Sequence, residues 1–213
     1  MDMDQRQRVY VVDDDQGMLE STVWLLESVG LQVLPFTGGQ AFLEQYTEDL
    51  PACVLLDIRM PGMGGLAVQD ALRERNSRLP VIFVSAHADV PIVVRAFRSG
   101  AMDFIEKPYN EQLLLDSVQR ALRLHEGPAT GEQLGHEVHE RMAQLTPRER
   151  DILLPLVQGH SNREIAEQLG VSVKTVDLYR SRVMKRMQAD SLPALVGMAI
   201  GVGLIEPFTL SRR

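Results

Sequence analysis

The stretch Val9-Tyr10-Val11-Val12-Asp13-Asp14-Asp15 decides the fold. Its first four residues are β-branched or aromatic with no charged residue among them, the pattern of a strand buried on both faces. The three carboxylates that follow then stand at the carboxyl end of that strand. Working outward, Leu31–Phe36, Cys53–Leu56, Val81–Val84 and Asp103–Ile105 read as further short strands. Gln16–Val29, Gly39–Glu48, Leu66–Arg75, Pro91–Ser99 and Glu111–Leu124 alternate with them and read as helices, with Gly30, Pro80 and Gly100 near their ends. Five strand–helix units of about 20–25 residues each predict an α/β, doubly wound, parallel five-stranded sheet covered by helices on both faces.

In such a sheet ligands gather beyond the carboxyl ends of the strands. The residues at those ends are Asp13, Asp14 and Asp15 after the first strand, Asp57 after the third, Ser85 after the fourth and Lys107 after the fifth. Clustered carboxylates repel one another, and a hard, oxygen-ligated cation such as Mg²⁺ relieves the repulsion. A carboxylate left free beside the ion can act as nucleophile toward a phosphoryl group, with Lys107 and Ser85 within reach of its oxygens.

The alternation stops after residue 124. Residues 125–141, rich in glycine, proline and polar side chains at their start, are expected to be a linker between a domain at 1–124 and a second at 142–213. The second domain shows only helical segments, Pro147–Gln158, Asn162–Leu169, Val173–Met187 and Leu192–Gly201. Thr146, Pro147 and Glu149 form a capping box with proline at the first helical position. Within it, Asn162 to Val176 has the economy of a helix-turn-helix: Ala166 where two helices cross closely, Gly170 at the turn, Ser172 as the next cap, and Ile165, Leu169, Val171 and Val176 as shared core.

Charge divides along the same line. The 213-residue chain carries a net charge of -7, which taken whole argues against a uniformly basic surface for nucleic acid. Residues 1–124 hold 11 Lys+Arg against 18 Asp+Glu, and residues 125–213 hold 11 of each. Within the neutral part, Val173–Met187 contains Lys174, Arg180, Arg182, Lys185 and Arg186 against Asp177 alone, a local +4 that is the electrostatic footprint of DNA binding. The single cysteine, Cys53, sits in an apolar run and reads as a buried structural thiol in a reducing compartment. No apolar run approaches the roughly 18 residues of a membrane span, so a cytoplasmic protein without membrane contact is expected.

On these residues, 8–124 resembles the flavodoxin-like receiver domain of two-component response regulators. The resemblance implies that Asp57, in Leu55-Leu56-Asp57-Ile58-Arg59-Met60-Pro61-Gly62, is the phosphoacceptor. It further implies that Asp13 and Asp14 are the acidic pair, Asp14 ligating Mg²⁺ and Asp13 acting partly through water, with Asp57 and the backbone carbonyl of Arg59 completing the metal shell. Ser85 matches the hydroxyl position, Lys107-Pro108 the lysine with its cis proline, and Phe104 the switch aromatic, which moves inward as Ser85 is drawn toward the phosphoryl group. Arg59 and His87 flank the path of the water that removes that group. Phosphorylation would bias the surface of the fourth helix, fifth strand and fifth helix, where Arg95, Arg98, Asp103 and Glu106 are candidates for dimer contacts or a solvated face.

Residues 142–205 resemble the LuxR-type DNA-binding domain, and the whole chain is similar to the NarL/FixJ subfamily. By that resemblance Val173–Met187 enters the major groove, placing Lys174, Thr175, Arg180 and Arg182 near phosphates or bases, with Asp177, Leu178 and Ser181 facing the groove. An acid there accepts from a base amino group such as that of cytosine. Leu195, Val196, Met198 and Ala199 of the last helix serve either core packing or dimer contacts. The implied partners are a sensor histidine kinase, promoter DNA, RNA polymerase and, when phosphorylated, a second copy of the chain. The implied chemistry is self-directed phosphoryl transfer and autodephosphorylation rather than an enzyme's turnover. A phosphatase of the haloacid-dehalogenase type is the alternative, because Asp13-Asp14-Asp15 supplies a D-x-D, but Gly17 stands where that family has Thr or Val. His136-Glu137-Val138-His139 spaces its histidines three apart rather than four and reads as solvated linker rather than a zinc motif.

Overall fold

The structure is a computed structural model that describes residues 7–47, 51–123 and 131–205. The first part of the expected linker, 125–130, lies outside the described residues, as do 1–6, 48–50, Leu124 and 206–213. Five strands, β1 (Arg8–Val12), β2 (Gln32–Phe36), β3 (Ala52–Leu56), β4 (Val81–Ser85) and β5 (Asp103–Glu106), form one parallel sheet in the order β2-β1-β3-β4-β5. They alternate with α1 (Gln16–Ser28), α2 (Gly39–Gln45), α3 (Gly65–Glu74), α4 (Val90–Arg98) and α5 (Glu111–Arg123). This is the doubly wound α/β sheet expected.

Period-two alternation sends β1 to both faces. Val9 and Val11 join Cys53, Leu55, Ile82, Val84 and Ile105 against Leu19 and Leu26 of α1 and Leu114 and Val118 of α5. Tyr10 faces the other way into an aromatic group, its ring 5.3 Å from that of Phe42 in edge contact, with Phe36 and Tyr46 beside them. Pro35 is tolerated because β2 is an edge strand. The backbone amide of Gln32 donates to Gln7 and the carbonyl of Phe36 accepts from Asp13, so the even-numbered residues bond toward β1 and the position lacking an N–H faces the open edge.

The remaining helices are α6 (Gly131–Ala143), α7 (Pro147–Val157), α8 (Asn162–Leu169), α9 (Val173–Met187) and α10 (Leu192–Gly201). Helix α6 takes up residues 131–141 of the expected linker, a helix the sequence reading did not foresee. Gly135 lowers its propensity, an interior glycine costing up to about 1 kcal/mol. The burial of Val138 and the i,i+4 pairs His136–Glu140 and Glu137–Arg141 offset that loss. His136 and His139 are exposed on this helix.

The described chain forms two compact units, one holding the sheet with α1, α2, α3 and α5, the other holding α4 with α6–α10. In the second unit the caps at Thr146 and Ser172 are those the sequence predicts, and Ser161 adds a third, at the start of α8. Thr146 and Ser161 each form a capping box, with Glu149 and Glu164 respectively, and Ser172 caps α9. Gly170 ends α8 at φ 64°, the left-handed conformation a glycine adopts without steric cost. Leu195, Val196 and Ala199 of α10 are buried within this unit and Met198 is half-buried, so in this structure the apolar face of α10 is core.

Candidate functional site

The strand ends bring Asp13, Asp14 and Asp57 together so that one carboxylate oxygen of each lies within 4.8 Å of the others. Backbone bonds hold two of the three positions: Asp13 N–H donates to the Phe36 carbonyl and Asp57 N–H to the Val12 carbonyl. Gly65 opens α3 directly behind Asp57, where a Cβ would fall onto the Asp57 backbone carbonyl. The three aspartates after β1 separate into different jobs. Asp15 caps α1, accepting from the backbone of Gly17 and Met18. Asp13 is buried, and its Oδ1 accepts from Asp15 N–H at 3.0 Å. Asp14 is exposed.

Lys107, held by a backbone bond from its N–H to the Ser85 carbonyl and followed by a cis Pro108, reaches into the cluster. Its Nζ lies 2.5 Å from Asp13 Oδ2 and 4.0 Å from Asp57 Oδ1. Asp57 is 9% exposed, and its Oδ1 is buried with no hydrogen-bond partner. One ammonium against three carboxylates leaves an excess of anionic, hard oxygen donors, an arrangement compatible with a divalent cation. Ser85 is fully buried at the end of β4, its Oγ 3.4 Å from the accompanying His87 N–H. Phe104 is buried on β5 with its ring 6.0 Å from that of Phe83. The side chains of Arg59 and His87 are exposed in the loops after β3 and β4. Tyr109, two residues past Lys107, shares a 2.8 Å hydroxyl bond with Thr22 of α1; this tie crosses 87 positions and no local pattern announces it.

In the second unit, α9 buries Val176, Val183 and Met187 and leaves Lys174, Asp177, Leu178, Ser181, Arg182, Lys185 and Arg186 exposed. Thr175 is half-buried, its hydroxyl 2.8 Å from that of Ser172. The guanidinium of Arg182 stacks on Tyr179 at 5.6 Å. Ser181 donates back to the Asp177 carbonyl. Arg186 is partly committed to the fold, bonding the Gln144 carbonyl at 2.9 Å and Glu149 at 3.1 Å. Glu149 is 1% exposed. The backbone bond from Thr146 holds its carboxyl below the usual carboxylate range, against the opposing effect of burial, and the Thr146 hydroxyl, Arg186 and Arg182 add to the lowering. Asp177 accepts from the Asn162 amide at 2.5 Å, and the Asn162 carbonyl oxygen faces Arg180 Nη1 at 3.4 Å. Asn162 carried no signal in the sequence, because its partners lie 15 and 18 positions away on another helix.

Comparison with known proteins gives the same two parts. Residues 9–119 match the response regulator receiver domain family, and residues 143–199 match the LuxR family of bacterial regulatory proteins. The chain is 37% identical to the transcriptional regulatory protein FixJ of Bradyrhizobium diazoefficiens over 93% of its length and 97% of that protein's. With FixJ of Azorhizobium caulinodans it shares 41% identity over 92% and 93%. Among solved structures it is similar to the response regulator StyR, with a TM-score of 0.55, 34% identity and coverage of 92% and 98%. These matches decide between the receiver and the phosphatase alternatives. With an acidic pocket at the strand ends of a receiver sheet and a basic helix in a LuxR-type domain, the chain belongs to the NarL/FixJ-type response regulators, phosphorylation-dependent regulators of transcription.

Proposed function

We propose that Asp57 is the phosphoryl acceptor of this response regulator and that Mg²⁺ is the cation held by its carboxylate cluster. The observation that carries this reading is Asp57 Oδ1: buried, without a hydrogen-bond donor, 4.0 Å from Lys107 and among the carboxylates of Asp13 and Asp14. A buried anionic oxygen lacking a donor is costly, and a hard cation relieves that cost. Asp14, Asp57 and the backbone carbonyl of Arg59 would hold the ion, with Asp13 acting partly through water. When bound, Mg²⁺ supplies positive charge to the oxygens of the transferring phosphoryl group.

An oxygen of Asp57 forms the new O–P bond as the N–P bond of a kinase phosphohistidine breaks, and that electron pair leaves with the imidazole. Lys107 pairs with the transferred group and Ser85 donates its hydroxyl to it. Phe104 serves as the switch aromatic, and its ring already lies inward beside Phe83. Water later cleaves the acyl phosphate along a path flanked by Arg59 and His87, so the only phosphoryl group the chain transfers or hydrolyses is its own.

Phosphorylation then promotes homodimerisation, and two tethered DNA-binding domains raise each other's effective concentration on paired half-sites. The site of action is promoter DNA in the cytoplasm, with RNA polymerase as partner. Incubation with acetyl phosphate and Mg²⁺, read on a phosphate-affinity gel, tests the assignment: the native chain shifts, Asp57→Asn does not, and chelation abolishes the shift. A full shift by Asp57→Asn would place the acceptor elsewhere.

A further inference from the structure

Asp177 is the one acid on α9, a helix whose other charges are all basic. One of its two carboxylate oxygens is already engaged within the fold. Its Oδ1 accepts from Asn162 Nδ2 at 2.5 Å, and the Oδ1 of the same amide faces Arg180 Nη1 at 3.4 Å. Asp177 and Arg180 are three residues apart and share a helix face, where they could pair directly. Asn162, in the first turn of α8, bridges them instead. The polarity of the amide matches this position: its N–H₂ end meets a group that only accepts, its oxygen a group that only donates. Reversed, the amide would set oxygen against oxygen and N–H against N–H. Arg180 is half-buried, and one of its five N–H donors is spent on the bridge, leaving the others for a base edge or phosphate.

We propose that Asn162 is a specificity-determining positioning residue of the DNA interface. It anchors on Asp177, aims the Arg180 guanidinium into the groove, and makes Arg180 rather than Asp177 the reader at this point. The expectation that Asp177 accepts from a cytosine amino group is thereby replaced by an internal role. Two of the three residues look like independent contacts in the sequence, whereas the geometry makes the three a unit.

The test uses the full-length protein and a DNA site selected from a random pool by the native chain, with a scrambled site as reference. Asn162→Ala and Asp177→Ala are each expected to lower the ratio of selected to scrambled affinity about tenfold, the scale of one misread base pair. The double variant should lose no more than either single one, because both act through Arg180. The slope of affinity against salt should stay unchanged in Asn162→Ala, which removes no phosphate-pairing charge. Should Asn162→Ala fold poorly, Asn162→Ser replaces it: a short hydroxyl suits the first turn of α8 but cannot span from Asp177 to Arg180, and the same tenfold loss of ratio is expected, an unchanged ratio again overturning the proposal. An unchanged ratio in Asn162→Ala would overturn the proposal. So would a loss of preference at one base pair in Asp177→Ala that Asn162→Ala does not share, since Asp177 would then be reading that base itself.

Discussion

Lys107 is held much closer to Asp13 than to Asp57: its Nζ is 2.5 Å from the first carboxylate and 4.0 Å from the second. Its ammonium therefore competes with a divalent cation for the Asp13 carboxylate. Removing one positive charge from within about 8 Å of a divalent cation is worth about 1 kcal/mol or more even at water-like screening. Lys107→Ala is accordingly expected to bind Mg²⁺ about fivefold more tightly in calorimetric titration, while accepting phosphoryl groups more slowly. Weaker Mg²⁺ binding in this variant would mean that Lys107 organises the cluster rather than competing with the ion.

Gly65 lets α3 start against the Asp57 backbone. In Gly65→Ala the added methyl has a carbonyl oxygen rather than a flexible side chain to displace, so the loop carrying Asp57 must shift. The expected cost is about 1–3 kcal/mol, the usual penalty of overpacking, read as a lower midpoint in urea. Gly64, which precedes the helix, meets the Ile58 carbonyl in the same way, and Gly64→Ala should behave similarly.

Glu149 makes the second unit sensitive to acid. Its carboxyl is held below the usual range in the folded chain, chiefly by the Thr146 backbone bond and in part by Arg186. A lowered folded value contributes stability that is fully present above the ordinary carboxylate pKa of about 4.3 and is lost as pH falls through the folded value. Glu149→Gln should cost about 2 kcal/mol at neutral pH, the scale of hydrogen bonds to a charged group. The gap to the native chain should narrow below about pH 4 in chemical denaturation. An equal gap at both pH values would show that shape, not charge, is what Glu149 supplies.

Burial pushes the Cys53 thiol up to about 12, so the nucleophilic thiolate is scarce as well as inaccessible. With no second cysteine in the chain, an aromatic disulfide reagent at pH 8 should label the native protein only as fast as β3 opens, and label it fully in urea. Rapid native labelling would contradict a strand buried on both faces.

The sheet and its edge were legible because they rest on strong local rules. Unbroken apolar runs such as Val9–Val12 and Cys53–Leu56 have few ways to be buried, and polar residues directly after them must collect at one edge. Asp13, Asp14, Asp57 and Lys107 meet there as expected, although the division of labour among Asp13, Asp14 and Asp15 depends on hydrogen bonds that spacing does not encode. Helix α6 was missed because two glycines and a polar composition mask the buried contact at Val138 together with its i,i+4 pairs. The links Thr22 to Tyr109 and Asn162 to Asp177 were beyond reach for a different reason: each joins side chains from separate elements, and such pairs leave no period in the chain.

Pro35 carries a consequence for assembly. An exposed sheet edge with its donors intact is a template onto which another chain can crystallise as an extra strand, the first step toward fibrils. On β2 the outward donor at position 35 is absent, so a strand arriving there meets a broken ladder midway along a five-residue edge. Self-association across that edge is thereby denied a continuous backbone ladder. The chain is protected on this side from a union that would not reverse.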